Sequence, residues 1–175
     1  MVYTIIGLGN PGKDYEGTRH NIGREVVKSL KPVKSLKSIE SLSYMNESGK
    51  AVKPFIKSKK EAERLIVLHD DLDLPVGSLK ISFNRGAGGH RGVESIIDAL
   101  KTQAFIRIRI GICPTTPSGK LKKPKGEETV VKFILGKFKE SELKAVHKLS
   151  SKIEEILACI SLFGAEKAMN LFNSR

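Results

Sequence analysis

Cysteine is scarce in this chain. Cys113 and Cys159 stand alone, without CxxC or metal-ligand spacing, which excludes a disulfide framework and a cysteine-built metal site and predicts two buried, reduced thiols. No Gly-x-Ser-x-Gly elbow and no activated cysteine setting is present, so a covalent hydrolytic route has no support. No apolar run approaches the length of a membrane span, and no basic segment leads into a small-residue cleavage site; a soluble, cytoplasmic protein is expected. Internal repeats and domain linkers are missing too, and 175 residues suffice to bury a core without metal or disulfide support, so residues 1–175 read as one domain. Acidic residues are in deficit. Nineteen Asp plus Glu against 31 Lys plus Arg leave a formal charge of +12, which favours a polyanionic partner such as nucleic acid.

What is present alternates between strand and helix patterns. Apolar runs at 2–6, 65–69, 79–83 and 106–112 read as strands, and helices are predicted at 21–30, 48–57, 92–100, 127–135 and 141–163. The last carries apolar residues at three- and four-residue spacing from Leu143 to Ile160, with Gly164 as its C-terminal stop. The Lys- and Ser-rich stretch 31–43 and the Pro- and Lys-rich stretch 114–126 read as irregular. The pattern predicts an α/β fold, a mixed twisted sheet with helices on both faces in three layers.

The run Gly7-Leu8-Gly9-Asn10-Pro11-Gly12 formally matches a dinucleotide fingerprint after a strand. A Rossmann unit also needs a helix opening inside the motif and an acidic residue about twenty positions on. Neither is there, so the glycines read as backbone freedom that lets Asn10 point into a cleft. His20 follows that turn, His69-Asp70-Asp71-Leu72-Asp73 closes the second strand, and Gly86-Ala87-Gly88-Gly89-His90-Arg91-Gly92 forms a third loop. All three read as strand-end loops, and ligands of open α/β sheets collect beyond the carboxyl ends of strands.

Residues 7–23, Tyr44-Met45-Asn46-Glu47-Ser48-Gly49-Lys50, 69–77, 88–92 and 107–111, in this order, resemble the bacterial-type peptidyl-tRNA hydrolase family. The resemblance implies a one-domain enzyme that cleaves the ester between a peptide and the 3′ end of tRNA, without metal or cofactor, as a monomer. It implies His20 as the general base and Asp70 as the carboxylate that fixes its tautomer, whereas spacing alone does not choose Asp70 over Asp71 or Asp73. It also implies that Asn46 holds the substrate and the developing oxyanion, and that Asn10 bonds the peptide linkage and so separates blocked from free amino groups. Tyr15 and Tyr44 match aromatic positions of the substrate cleft, and His90 and Arg91 belong to the glycine-rich block beside it. Lys80, Arg107 and Arg109 match or adjoin the surface that contacts tRNA. Lys120, Lys122, Lys123 and Lys125 fall where the family has a lid-like segment.

Three departures stand out. Arg91 replaces the asparagine that ordinarily follows the histidine of the glycine-rich block; it cannot accept a hydrogen bond but can stabilise an oxyanion or bind a terminal phosphate. Ser82 takes the place of a second basic residue, with Arg85 nearby to compensate. The segment between His20 and Asn46 is short, which predicts that a peripheral strand pair is trimmed or replaced by the Lys-Ser stretch. Two other functions stand beside it: an RNA-binding module of the same fold without hydrolysis, for which Arg91 is the best foothold, and a small-molecule esterase, which the charge disfavours.

Overall fold

The inner strands of the computed structural model, which describes residues 2–173, are buried on both faces because their apolar residues alternate between two helix layers. In β3 (Leu65–Pro75), Ile66 and Leu68 pack into one layer while Leu65 and Val67 pack into the other. The first layer is closed by α1 (Ile22–Ser29) and α7 (Leu149–Phe172), and the second by α2 (Ser48–Val52) and α4 (Arg91–Leu100). With β1 (Tyr3–Gly7), β2 (Leu36–Ile39), β4 (Leu79–Phe83) and β5 (Ile106–Cys113), the sheet has the order β2-β1-β3-β5-β4, parallel except for β4. The expected three-layer α/β domain with a mixed sheet is therefore present.

Four details differ from the sequence reading. The Lys-Ser stretch supplies a strand: β2 pairs in parallel with β1, from Tyr3 opposite Leu36 to Ile6 opposite Ile39. Its alternation is hard to see because it is an edge strand in which only Ile39 is buried. The helix expected at 48–57 stops at Val52, since Pro54 has no amide hydrogen to give the Lys50 carbonyl and continue the ladder; α3 (Lys59–Ala62) then starts at a capping box between Ser58 and Glu61. The long C-terminal helix is divided into α6 (Glu140–His147) and α7; Gly164, at φ 85° and ψ 171°, does break the helix where a stop was expected, and a second helical segment follows it to Phe172.

The fourth difference concerns the glycine-rich loop. Because β4 runs antiparallel, Phe83 lies opposite Ile106 while Asp70 lies opposite Ile110, so residues 84–89 leave from the far end of the sheet. They climb about four strand residues, roughly 13 Å, to bring His90 level with Asp70. Gly88 and Gly89, at φ 62° and 80°, make the turn that delivers it.

One close approach places His20. A Cβ on Gly23 would sit 2.2 Å from the Leu68 carbonyl oxygen, and one on Gly7 would sit 2.0 Å from the carbonyl oxygen of Gly23. The start of α1 thus lies directly on β1 and β3, and the 3₁₀ turn Arg19–Asn21 ahead of it is held over the end of β3.

Candidate active site

The two helix layers meet over Asp70, midway along β3 and just past Leu68, where the pairing with β1 ends. From the α1 layer comes His20, whose Nδ1 lies 2.9 Å from both carboxylate oxygens of Asp70. From the amino end of α4 comes His90, whose Nε2 lies 2.9 Å from Asp70 Oδ1. An ionised carboxylate only accepts, so both nitrogens carry protons. The Val93 amide donates to Nδ1 of His90, consistent with that tautomer. In His20 the proton on Nδ1 leaves Nε2 with a lone pair, the state a general base requires.

Burial alone would push the Asp70 carboxyl up, but the two imidazoles and their hydrogen bonds hold it well below the usual carboxylate range. His69 completes the cluster. Its Nδ1 donates to the Asp70 carbonyl oxygen at 2.7 Å, and its ring meets that of His90 edge-on at 4.6 Å. Burial, with His90 beside it, lowers the His69 pKa well below the ordinary histidine value, and its buried Nε2 has no hydrogen-bond partner. His20, Asp70 and His90 bring one ligand atom each within 4.8 Å, the spacing of a metal site. A metal on Nε2 of His90 would force its proton onto Nδ1, against the Val93 amide, so the hydrogen-bonded network is the better account of this cluster.

These residues line a cavity of about 690 Å³. Asn10 enters it with its backbone clamped by Asn21, which accepts from the Asn10 amide at 2.8 Å and donates to its carbonyl at 2.9 Å. Asn10 Oδ1 accepts from the Met45 amide at 2.8 Å, which leaves its NH₂ group as the remaining donor. Asn46, one residue on, is exposed on the same wall and bonds to no described residue. Tyr44 lines the cavity and meets Tyr15 edge-on at 6.3 Å; Tyr15 itself stands behind it, off the lining.

Strand β5 explains the cationic wall. Its isoleucines 106, 108, 110 and 112 face the α7 layer, so the alternate residues Arg107 and Arg109 face the cavity. Arg109 Nε donates to Asp71 at 2.6 Å, and the buried Arg107 donates to the Gly86 carbonyl at 3.0 Å, fastening the glycine-rich loop to the sheet. Burial first and Arg109 second lower the Arg107 pKa, although a guanidinium remains charged. Lys80 is exposed on β4 and off the lining, whereas Arg85 is on it; Ser82 is buried. Arg91 is exposed at the mouth and pairs with Glu127 at 2.6 Å.

The opposite wall is α5 (Glu127–Ile134), through Val130, Val131 and Ile134. None of residues 114–126 lines the cavity; Lys123 pairs instead with Asp73. Sequence reading missed this apolar wall, His69, Asn21 and Glu127. The signals were a helix with apolar pairs four apart but no buried residue, and polar residues directly beside His20 and Asp70. Arg19 was also missed. It is buried between Phe133 and Phe138, donates to the Lys137 carbonyl at 2.6 Å and to Glu142 at 2.7 Å, and ties the His20 turn to the segment after α5.

Fold and site define a three-layer α/β protein of the hydrolase class, with an imidazole hydrogen-bonded to a buried carboxylate inside a cleft of neutral amides and guanidiniums. The chain belongs to the peptidyl-tRNA hydrolase family, whose model matches residues 4–40 and 34–175. It is 34% identical to the peptidyl-tRNA hydrolase of Persephonella marina, covering 100% of this chain and 99% of the relative, and 39% identical to that of Thermodesulfovibrio yellowstonii, covering 97% of each. The crystal structure of peptidyl-tRNA hydrolase from Acinetobacter baumannii superposes with a TM-score of 0.81 at 28% identity, over 99% of this chain and 95% of that one.

Proposed function

We infer that this protein hydrolyses the ester that joins a peptide, or an N-acylated amino acid, to the 3′ end of tRNA. The observation that carries the mechanism is the His20–Asp70 pair at 2.9 Å on the wall of the cavity. Nε2 of His20 takes a proton from water as the water oxygen attacks the ester carbonyl, and Asp70 stabilises the imidazolium that forms. The tetrahedral intermediate then collapses. The ribose oxygen leaves with the proton returned by His20, yielding a free peptide acid and tRNA.

The neutral amides suit the rest of the substrate. Asn46 holds the carbonyl oxygen as charge develops on it, and the free NH₂ of Asn10 donates to the carbonyl oxygen of the amide that blocks the amino group, an acceptor that a free ammonium does not offer. Tyr44, backed by Tyr15, offers a ring for stacking.

The charge pattern fits a polyanion. On the cavity wall Asp70 is taken by His20 and His90, Asp71 by Arg109, Asp73 by Lys123 and Glu127 by Arg91, while Arg85 and Arg107 have no carboxylate partner among the described residues. We assign the exposed Arg85 and the outlying Lys80 to tRNA phosphates, with Arg107 and Arg109 holding the wall in shape through the Gly86 carbonyl and Asp71. All the groups invoked come from one chain, so a monomer suffices. No helix of the described residues is long and apolar enough to cross a membrane, and work on products of translation supports a cytoplasmic protein.

The test is acyl release from N-acetyl-phenylalanyl-tRNA by purified protein. Release is expected; tRNA binding without release would make the chain an RNA-binding module. His20→Ala should lower turnover about 10³-fold, within the range of a lost general base, while tRNA affinity is retained. Equal losses of turnover and affinity would refute the base assignment.

A further inference from the structure

We propose that Arg91 grips the phosphodiester linking the last two nucleotides of the tRNA, and that Glu127 occupies the same guanidinium until substrate displaces it. The proposal rests on the hydrolase reading above and names the group that one side chain of that site recognises.

Position supports it. Arg91 directly follows His90, whose ring bonds Asp70 and lies 5.1 Å from that of His20. Adjacent Cα atoms are about 3.8 Å apart, so the Arg91 backbone starts one peptide from the reacting cluster. The ester on the terminal ribose and the phosphate on its 5′ side are separated by a single sugar. With the ester carbonyl beside His20, that phosphate falls within the sweep of a side chain rooted at position 91.

Glu127 marks what the guanidinium is set to receive. Its carboxylate lies 2.6 Å from Arg91 Nη2, and the two side chains are 78% and 66% exposed. A pair so open to water contributes little and exchanges readily. A phosphodiester presents a matching pair of oxygens to the guanidinium fork. Of the other carboxylates on this wall, Asp70 and Asp71 are largely buried with their partners, and the exposed Asp73 faces an ammonium, Lys123, instead of a guanidinium. Among the guanidiniums, Arg109 is held by Asp71, Arg107 is buried against Gly86 and the exposed Arg85 is rooted five residues before His90, whereas Arg91 adjoins His90 and is joined to an exposed partner on the facing helix. The pair therefore spans the cleft between α4 and α5, and seating the phosphate on Arg91 frees the amino end of α5.

The test uses two substrates that differ by one charge: the N-acetyl-phenylalanyl ester of cytidylyl-(3′,5′)-adenosine, and the same ester with a neutral methylphosphonate in place of the phosphate. The readout is the ratio of their kcat/KM values. A ratio of about ten is expected for the unaltered protein, the effect of one charge-assisted hydrogen-bonded contact. Arg91→Asn should bring the ratio to about one, Glu127→Gln should raise it about threefold by removing the competitor, and the double variant should match Arg91→Asn. Both side chains are exposed, so folding is not at stake.

A ratio left intact by Arg91→Asn, or left intact or lowered by Glu127→Gln, overturns the proposal while the hydrolase reading stands. If the unaltered protein releases no acyl group from these esters or from N-acetyl-phenylalanyl-tRNA, the hydrolase reading falls and takes the proposal with it.

Discussion

Asp70 and Glu127 are carboxylates on the same cavity, each within 3 Å of a nitrogen-bearing side chain, yet they do opposite work. Asp70 is 4% exposed and receives two imidazole N–H groups; Glu127 is 78% exposed and faces one guanidinium. Water decides the difference. In the interior, each polar group must be answered by a partner, so an unmatched change there is costly and the geometry is held. At the rim, water answers for either partner, so the pair is weak and open to competition from phosphate. The inner floor is built for a fixed reaction geometry, and the outer rim for exchange.

The sharpest way to break this contrast is Asp70→Asn. The amide no longer accepts from His20 as a carboxylate does, and the imidazolium loses its counter-charge, so turnover should fall by about 10² to 10⁴ with tRNA affinity nearly kept. A fall of less than threefold in single-turnover rate would make Asp70 as dispensable as a rim residue.

Arg19→Ala comes next. It removes a guanidinium stacked under two phenylalanines and leaves the Glu142 carboxylate, 12% exposed, without its partner. Loss of about 3 kcal/mol in urea unfolding is expected, the scale of a broken buried pair. A loss no larger than that of an exposed pair would mean that burial does not set the rule here.

A gentler probe is the pH dependence of stability. His69 is held neutral in the folded chain below the pH at which the unfolded chain takes up a proton there. The unfolded state therefore binds more protons as the pH falls below about 6.5, and this residue costs roughly 1.4 kcal/mol of stability per pH unit until its folded-state pKa is reached. His69→Asn, whose amide nitrogen can replace Nδ1 against the Asp70 carbonyl, should flatten the stability profile below that pH. An unchanged slope would remove His69 from the inner network.

The smallest effect is expected at Lys123, which pairs with Asp73 on the exposed outer face. Lys123→Ala should leave the unfolding midpoint where it was, and a clear drop would show that the rim is structural after all.

Much of the architecture was legible because burial on two faces imposes a two-residue alternation that a linear reading detects, as at Leu65 to Leu68 and Ile106 to Ile112. Strand β2 escaped because a lysine-bearing edge strand buries too little for its alternation to show, and its partner, β1, lies some thirty residues earlier. The glycine-rich loop was placed with the other strand-end loops, but the direction of β4 is not written in its five residues; pairing with β5 sets it.

The site divides in the same way. Its ordered blocks named His20, Asp70, Asn10 and Asn46, and the charge of +12 named the kind of partner, because residue type and order are properties of the chain itself. Tertiary structure alone turned His90 onto Asp70 across twenty residues, kept His69 neutral, gave the cavity its apolar α5 wall and set Glu127 against Arg91. Each of these depends on which groups packing brings together and which it shields from water, and neither quantity exists until the two helix layers have closed on the sheet.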